Sequence, residues 1–393
     1  MLPIERRAVA AIAAIYSVRM LGLFMLLPVL ALYVVDLPGA SPALVGIAIG
    51  AYGITQACLQ IPFGLASDRF GRKRVIAAGL VIFALGGVIA AGAESIHGVI
   101  AGRAIQGAGA ISAALTALLA DLTRSPWRTR SMAFIGISIG ASFMLALILG
   151  PALGARVGLA GLFWATVLLA ALALAVLVLV TPGRWQAGPR TAKAANLGFV
   201  TVLQRRSLLG LDAGIFVLHF VLTASFVALP FVLRDSLGFE PAGHWRIYLG
   251  VMLASLVFLI PMIRMSERVR PSGAVTVGAV ALLVGAELLI AVAHGRQLVV
   301  LGALVAFFGG FNFLEARLPA RISQLTASGN RGAALGVYAS AQFAGAFAGG
   351  VAGGALLGAA GLPGVFFLCG LVALIWLIGI VLAGARHGFA ERG

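Results

Sequence analysis

The chain has 393 residues, of which 61% are hydrophobic and only 10% charged, with a formal net charge of +16 and a mean hydropathy of +1.09. Soluble domains carry roughly 45–50% apolar and 25% charged residues, so a water-soluble globular fold is excluded. Most of the apolar blocks run for about 20–26 residues. At about 1.5 Å of rise per residue, that length carries a helix across a hydrocarbon core roughly 30 Å thick. Membrane-spanning helices are expected, and barrel strands are not.

The cations are scattered among short loops instead of gathered on one soluble face, so the charge is read as topological and not as a nucleic-acid surface. Cys58 and Cys369 each fall inside an apolar block without a ligand-like neighbour, which makes them lipid-facing or packing residues and leaves no metal site. The first apolar block, from Ala8 to Val35, follows Arg6 and Arg7 as a signal peptide would. It is longer than the roughly 7–15 residue core of such a peptide and contains Arg19 and Pro28, so it is read as a retained first helix.

Twelve spans are predicted, at 8–35, 42–64, 74–94, 98–121, 131–155, 160–181, 208–233, 244–264, 273–293, 298–322, 332–357 and 362–384. An even number places both termini on one side. That side holds Arg69, Arg72, Lys73 and Arg74 after the second span and Arg124, Arg128 and Arg130 after the fourth, whereas Arg156, Arg234, Arg246 and Arg296 lie opposite. The positive-inside bias then makes both termini cytoplasmic. A polar stretch, 182–207, carries Arg184, Arg190, Lys193, Arg205 and Arg206 and divides the chain into an amino-terminal half, 1–181, and a carboxy-terminal half, 208–393.

The halves repeat. Ile61-Pro62 with Ser67-Asp68-Arg69 recurs as Ile260-Pro261 with Ser266-Glu267-Arg268, Pro28 matches Pro230, Leu122-Thr123 matches Leu325-Thr326, and Gly136 and Gly154 match Gly336 and Gly354, all at offsets of about 200 residues. Two parallel six-helix repeats about an axis along the membrane normal form the arrangement of major facilitator transporters, in which substrate sits near mid-membrane between the halves.

The run Gly64 to Arg74, GLASDRFGRKR, resembles the loop between helices two and three of the major facilitator superfamily, with Gly64, Asp68, Arg69, Gly71, Arg72 and Lys73 on the family pattern. Leu21-Gly22 with Pro28-Val29, then Arg103, Gln106, Gly107 and Gly109 in the fourth span, and Gly150-Pro151 with Gly154 in the fifth are similar to the drug/proton antiporter branch. Ala31 replaces a usual Pro, and Ala146 and Ala155 stand where the fifth-helix pattern often has Gly. Some members of this group carry a further soluble domain after the twelfth helix. The sequence ends at Gly393, so that domain is expected to be missing.

The resemblance implies an all-α polytopic fold of twelve helices in two pseudo-symmetric halves. It also implies a conformational latch of Gly64, Asp68, Arg69, Gly71, Arg72 and Asp121, with the Asp68 carboxylate bonding the start of the eleventh helix near Gly332. Gly64 and Gly71 are expected to permit tight turning and close approach of neighbouring helix ends, and Arg69, Lys73 and Arg74 to serve topology. Charges inside the spans cost roughly 2.5–3.5 kcal/mol at a helix centre and therefore belong to a cavity or a partner. Glu315, deep in the tenth span beside Asn312, is the leading proton carrier, with permanent pairing to Arg317 as the alternative. Arg103, His219 and Asp212 are the other candidates for proton coupling, Arg103 as a fixed charge; the alternatives are a structural anchor for Arg103, a hydrogen-bonded packing residue for His219 and pairing with a loop Arg for Asp212. Arg19, Asn312 and Gln106 are candidates for the substrate cavity, with structural pairing the equal alternative for Arg19. Gly150, Pro151 and Gly154 are candidates for a hinge, and Glu287 is read as peripheral.

The predicted function is proton-coupled secondary transport by alternating access, exporting amphipathic small molecules or drugs across the cytoplasmic (inner) membrane by H+ antiport. A proton crossing 100 mV supplies about 2.3 kcal/mol. No cofactor is expected besides the proton as coupling ion, and the partners are a small-molecule substrate and membrane lipid, with the chain a monomer. A proton-driven nutrient symporter and a non-transporting receptor or sensor are the alternatives. An enzyme is not expected, since no Walker A, HExxH or GxSxG pattern is present.

Overall fold

A computed structural model describes residues 1–182, 205–268, 273–326 and 331–386, and within these the side chains of 125, 129, 206, 331 and 384–386 are not described. Most of the predicted linker, 183–204, and the end of the second cationic repeat, 269–272, lie outside the described residues.

Among the described residues, ten helical segments are apolar and long enough to cross a membrane. Two of them, Pro126–Val180 with 55 residues and Gly332–Ala383 with 52 residues, are each about 80 Å long if straight, far more than one crossing needs. Each is broken once by a left-handed glycine, Gly158 (φ 65°, ψ −171°) and Gly361 (φ 66°, ψ −168°). The break reverses the chain without a loop, and twelve spans result.

In chain order these are α1 (Pro3–Phe24, continued past a break by Leu30–Val34), α2 (Pro42–Phe70), α3 (Arg72–Ala91), α4 (Ile96–Ala108 and Ser112–Leu122), α5 (125–157) and α6 (159–175, ending in a wide turn at Val176–Val180). The second set is α7 (Arg206–Phe231, ending in a wide turn at Val232–Ser236), α8 (His244–Arg268), α9 (Gly273–Ala293), α10 (Gln297–Leu325), α11 (331–360) and α12 (362–386). All six odd–even pairs alternate in direction, so α1 starts and α12 ends on one face, called here the terminal face.

The repeat is visible in backbone geometry. Gly158 and Gly361 agree in both dihedrals within a few degrees. The matched Leu-Thr pairs also do the same work: Thr123 leaves α4 at φ −126°, ψ 135°, and Thr326 leaves α10 at φ −112°, ψ 130°. An extended Thr stops the helix, because the following residue can no longer donate along the helical ladder.

The halves meet along α2 and α11. Gly46, Gly50 and Gly53 of α2 face Gly350, Gly354, Phe347 and Phe343 of α11, and a Cβ added at Gly46 would run into the Gly350 carbonyl. A Cβ at Gly358 would sit 3.3 Å from the Pro42 Cβ. These residues occupy the part of each helix remote from the terminal face. Small residues allow backbones to close to dispersion contact where lipid supplies no hydrophobic drive. At the terminal end of α11 the situation is different: nothing lies within 4 Å of where a Gly332 Cβ would stand. Among the described residues the halves are therefore in backbone contact toward the far face and not at the Gly332 end of α11.

Gly350→Leu forces side chain into backbone and costs about 1–3 kcal/mol at this contact. The expected outcome is that a disulfide between cysteines placed at Pro42 and Gly358, formed readily in the native sequence, drops several-fold in yield when Gly350→Leu is added.

Candidate functional site

The cationic run is mostly helix. α2 continues through Asp68 and Arg69 to Phe70, and only Gly71, at φ 94°, makes the turn into α3. Of the two expected roles, turning falls to Gly71 and close approach to Gly64. Gly64 is a packing residue, its missing Cβ standing 3.2 Å from the Ala113 Cβ of α4.

Among the described residues, Asp68 makes no bond to the start of α11. As an i, i+4 pair across Gly71 it binds Arg72, whose Nε also donates to Asp121 Oδ2 at 3.1 Å and whose Nη1 donates to Ser67 Oγ. Arg72 therefore ties the end of α2, the start of α3 and the end of α4, all inside one half. Pairs this exposed are worth about 0–1 kcal/mol each, so the cluster is a positioned device more than a source of stability. Arg69 lies over the neighbouring Phe70 ring, 5.4 Å from its centroid.

Lys73 does more than orient the chain. Its Nζ donates to Thr181 O at 2.6 Å, and Arg7 Nε donates to Val180 O at 2.8 Å, so two cations cap the carbonyl end of α6 as its dipole favours. Glu5, not singled out in the sequence, accepts from Arg124 Nε at 2.9 Å and from the Arg124 backbone N–H at 3.1 Å, fastening α1 to the α4–α5 turn. Its signal was an acid in the first turn of a helix, which also accepts from Leu2 N–H at 2.7 Å.

Inside the amino-terminal half, α4 is interrupted between Ala108 and Ser112. The break leaves carbonyls without helical partners in a setting where water is absent. Arg19 fills the gap. Its Nη2 donates to Gly109 O, Tyr52 Oη and Gln56 Oε1, each at 2.8 Å, and Tyr16 Oη donates to Ser112 O at 2.6 Å. Arg103 lies on the same Tyr52 ring as Arg19, at 5.1 Å and 6.0 Å from its centroid. From Arg103 a chain of polar groups continues through Gln106 to Thr166 Oγ1 of α6, which accepts from Gln106 Nε2 at 3.0 Å.

Arg19 and Gln106, expected at a cavity wall, are 1% and 0% exposed. They are sealed in the amino-terminal bundle. The fifth-helix residues Gly150, Pro151 and Gly154, expected as a hinge, lie in unbroken helix, the break coming at Gly158. Gly150 approaches the Met25 carbonyl where α1 itself is broken, and Gly154 packs on Tyr33.

The carboxy-terminal half holds a second cluster at mid-span. Gln342 of α11, missed in the sequence, donates to His219 Nε2 of α7 at 2.8 Å and to Glu315 Oε1 of α10 at 3.2 Å. The imidazole Nε2 and Glu315 Oε2 are 3.9 Å apart. An amide nitrogen only donates, so His219 accepts at Nε2 and carries its proton on Nδ1. The Glu315 side chain is 33% exposed, while its Oε2 accepts no hydrogen bond. Tyr338 stands within electrostatic reach of both Glu315 and Asp212, and neither Asp212 oxygen accepts a hydrogen bond. Asn312 is half-buried one turn from Glu315.

On the far side of this cluster the aromatic rings close ranks. Phe24 and Phe143 of the amino-terminal half meet at 5.0 Å between centroids, Phe143 reaches Phe311 of α10 at 5.8 Å, and Phe311 lies 5.9 Å from the His219 ring. Glu315 is one helical turn beyond Phe311 toward the terminal face, on the side where the halves part.

Replacing Arg19 by Leu removes three hydrogen bonds to a charged donor, leaving Gly109 O only the Ile111 N–H and Gln56 Oε1 only the Tyr52 hydroxyl, at about 1.5–3 kcal/mol for each bond lost. The expected result is a fall in melting temperature of the purified protein of many degrees, partly recovered in Arg19→Lys, and far larger than that caused by Arg69→Leu.

Comparison with known proteins fits this geometry. The profile of the Major Facilitator Superfamily matches residues 12–314. Inner membrane transport protein YajR of Escherichia coli (strain K12) is 45% identical over 380 residues, covering 96% of this chain and 83% of that protein. Quinolone resistance protein NorA of Staphylococcus aureus (strain Mu50) is 28% identical over 136 residues, 34% of each chain. The solved structure of the human organic anion transporter MFSD10 (TETRAN) superposes with a TM-score of 0.72 at 22% identity, covering 97% of this chain and 100% of that one. The chain belongs to the Major Facilitator Superfamily and is a membrane transporter.

Proposed function

We propose that the chain is a proton-coupled exporter of amphipathic small molecules, working by alternating access in the cytoplasmic (inner) membrane with both termini in the cytoplasm. The observation that carries this reading is the Glu315–Gln342–His219 cluster, a carboxyl on the parted side of the aromatic closure, bridged by an amide to an imidazole. The inner-membrane location named for YajR and the quinolone resistance named for NorA support the location and the substrate class.

Ionised Glu315 attracts a cationic amphipath entering from the cytoplasmic face. Protonation at Glu315 cancels that attraction, so proton and substrate compete for one carboxyl. Gln342 suits both states: its N–H2 serves a carboxylate, and its carbonyl, after a rotation of the amide, serves a carboxylic acid. His219 at Nε2 then either accepts or donates, moving a proton between the two without leaving the cluster. Asp212, with Tyr338 between it and Glu315, supplies the next carboxyl toward the cytoplasm. Arg103 remains a fixed charge behind Tyr52, Arg19 and Gln106 hold the amino-terminal half rigid, and Asn312 faces the substrate.

The latch completes the cycle. Arg72 keeps Asp68 and Asp121 assembled while the cytoplasmic ends are apart, so the outward-open state needs only one new bond, from the α11 start near Gly332 to Asp68.

In liposomes, substrate-driven proton flux is expected to vanish in Glu315→Gln and to fall at least about tenfold in Gln342→Leu, equivalent to about 1.4 kcal/mol; unchanged coupling in Glu315→Gln removes it as the carrier. Asp68→Asn keeps the loop cationic and is expected to insert normally yet lose most transport, while full transport leaves that loop a topological role alone.

A further inference from the structure

The carboxy-terminal half buries another acid away from this route. Glu287, in the last third of α9, is 1% exposed. Its Oε1 lies 2.7 Å from Ser225 Oγ of α7. The same hydroxyl lies 2.7 Å from the carbonyl oxygen of Val221, one turn back on α7, and 3.5 Å from Cys369 Sγ of α12. Cys369 Sγ itself reaches Val221 O at 3.8 Å. Glu287 Oε2 accepts no hydrogen bond. Among the described residues, the groups that face Glu287 from the packed helices are this hydroxyl and this thiol, and neither is a cation.

Counting hydrogens decides the form of the acid. A serine hydroxyl has one hydrogen, while a backbone carbonyl and an ionised carboxylate only accept. Two O···O separations of 2.7 Å, each of hydrogen-bond length, need two hydrogens. Ser225 supplies the one that goes to Val221 O. The other must stand on Glu287, whose carboxylic O–H donates to Ser225 Oγ. Burial without a counter-ion favours the same neutral form.

An apolar groove of about 460 Å³ lies between α9, α11 and α12, its wall one residue in sequence from Glu287 and Cys369, neither of which lines it. Leu288, next to Glu287, and Leu368 and Gly370, on either side of Cys369, line it together with Leu371. Leu371 is 53% exposed and Phe367 49%, so the groove opens on the outer surface of the bundle, where lipid chains run.

We propose that Glu287 and Ser225 form a second proton-holding site, a neutral carboxylic acid clasping α9 to α7 outside the transport route and open to modification from the lipid side. Its reagent class is the apolar carbodiimide. The acid proton passes to a carbodiimide nitrogen, the carboxyl oxygen bonds the central carbon, and an O-acylisourea forms with nothing leaving.

The test uses the full chain in lipid nanodiscs. Infrared spectra at neutral pH are expected to show a protonated-carboxyl stretch that disappears in Glu287→Gln and shifts in Ser225→Ala, with the melting temperature of Glu287→Gln unchanged because the amide copies the neutral acid in shape. Dicyclohexylcarbodiimide is expected to add to the peptide containing Glu287, and a water-soluble carbodiimide is not. If Glu287→Gln instead removes a carboxylate band and leaves the carboxyl stretch in place, the proposal is overturned. If the stretch is present but the apolar reagent leaves Glu287 unmodified, access through the groove is refuted.

Discussion

Two helices, α2 and α11, touch backbone to backbone across the boundary between the halves, and the rest of the molecule takes its orientation from that contact. Gly46, Gly50 and Gly53 on one side and Gly350 and Gly354 on the other leave no side chain between them. Such a contact is held by dispersion and by exclusion of lipid, with no ion pair to break. A joint of this kind can part and re-form at modest cost, because each bare backbone remains satisfied within its own helix. Closing one face with glycine opens the other, and the charged cluster around Arg72 sits on the open one.

The halves handle buried charge in different ways. In the amino-terminal half Arg19 is built into the wall: its guanidinium occupies the break in α4 and gives the Gly109 carbonyl a second donor besides the Ile111 N–H of the turn. Removing the charge removes the support of the break. In the carboxy-terminal half the acids meet groups that serve them as acid or anion alike. Glu315 has an amide and an imidazole, and Glu287 has a serine hydroxyl. A cation fixed in place gives rigidity, whereas a carboxyl beside an amphoteric partner can exchange protons. Duplication thus supplied two like frames whose interiors specialised.

Much of this was legible in the residues. Span lengths follow from the apolar blocks, and the Leu-Thr pairs and the duplicated Ile-Pro marked the repeat because helix stops depend on local chemistry. Glu315 stood out, since an acid in an apolar helix demands a partner. The partner did not: Gln342 lies in a glycine-rich stretch that reads as packing alone, and nothing local joins it to a residue far earlier in the chain. Arg19 carried the converse problem. Its charge was visible, but the broken helix it serves is created by Gly109 packing against the Gly79 carbonyl, a tertiary fact. Gly64 and Gly71 look alike in the run, yet only the backbone dihedral of Gly71 requires glycine for a turn. The gaps predicted at 156–159 and 358–361 fall on Gly158 and Gly361, but nothing local showed that one left-handed glycine in otherwise continuous helix would make each reversal.

The central claim is that the two faces open and close in opposition about the glycine contact. Spin labels at Phe70 and Leu325, both exposed on the terminal face, and at Val35 and Leu298, exposed on the far face, measure it directly as a pair of distances across the halves in one lipid environment. When pH is stepped to drive the cycle, the first distance should shorten as the second lengthens. If both distances change in the same sense, or the far-face pair stays fixed while the terminal pair moves, the halves do not rock about α2 and α11.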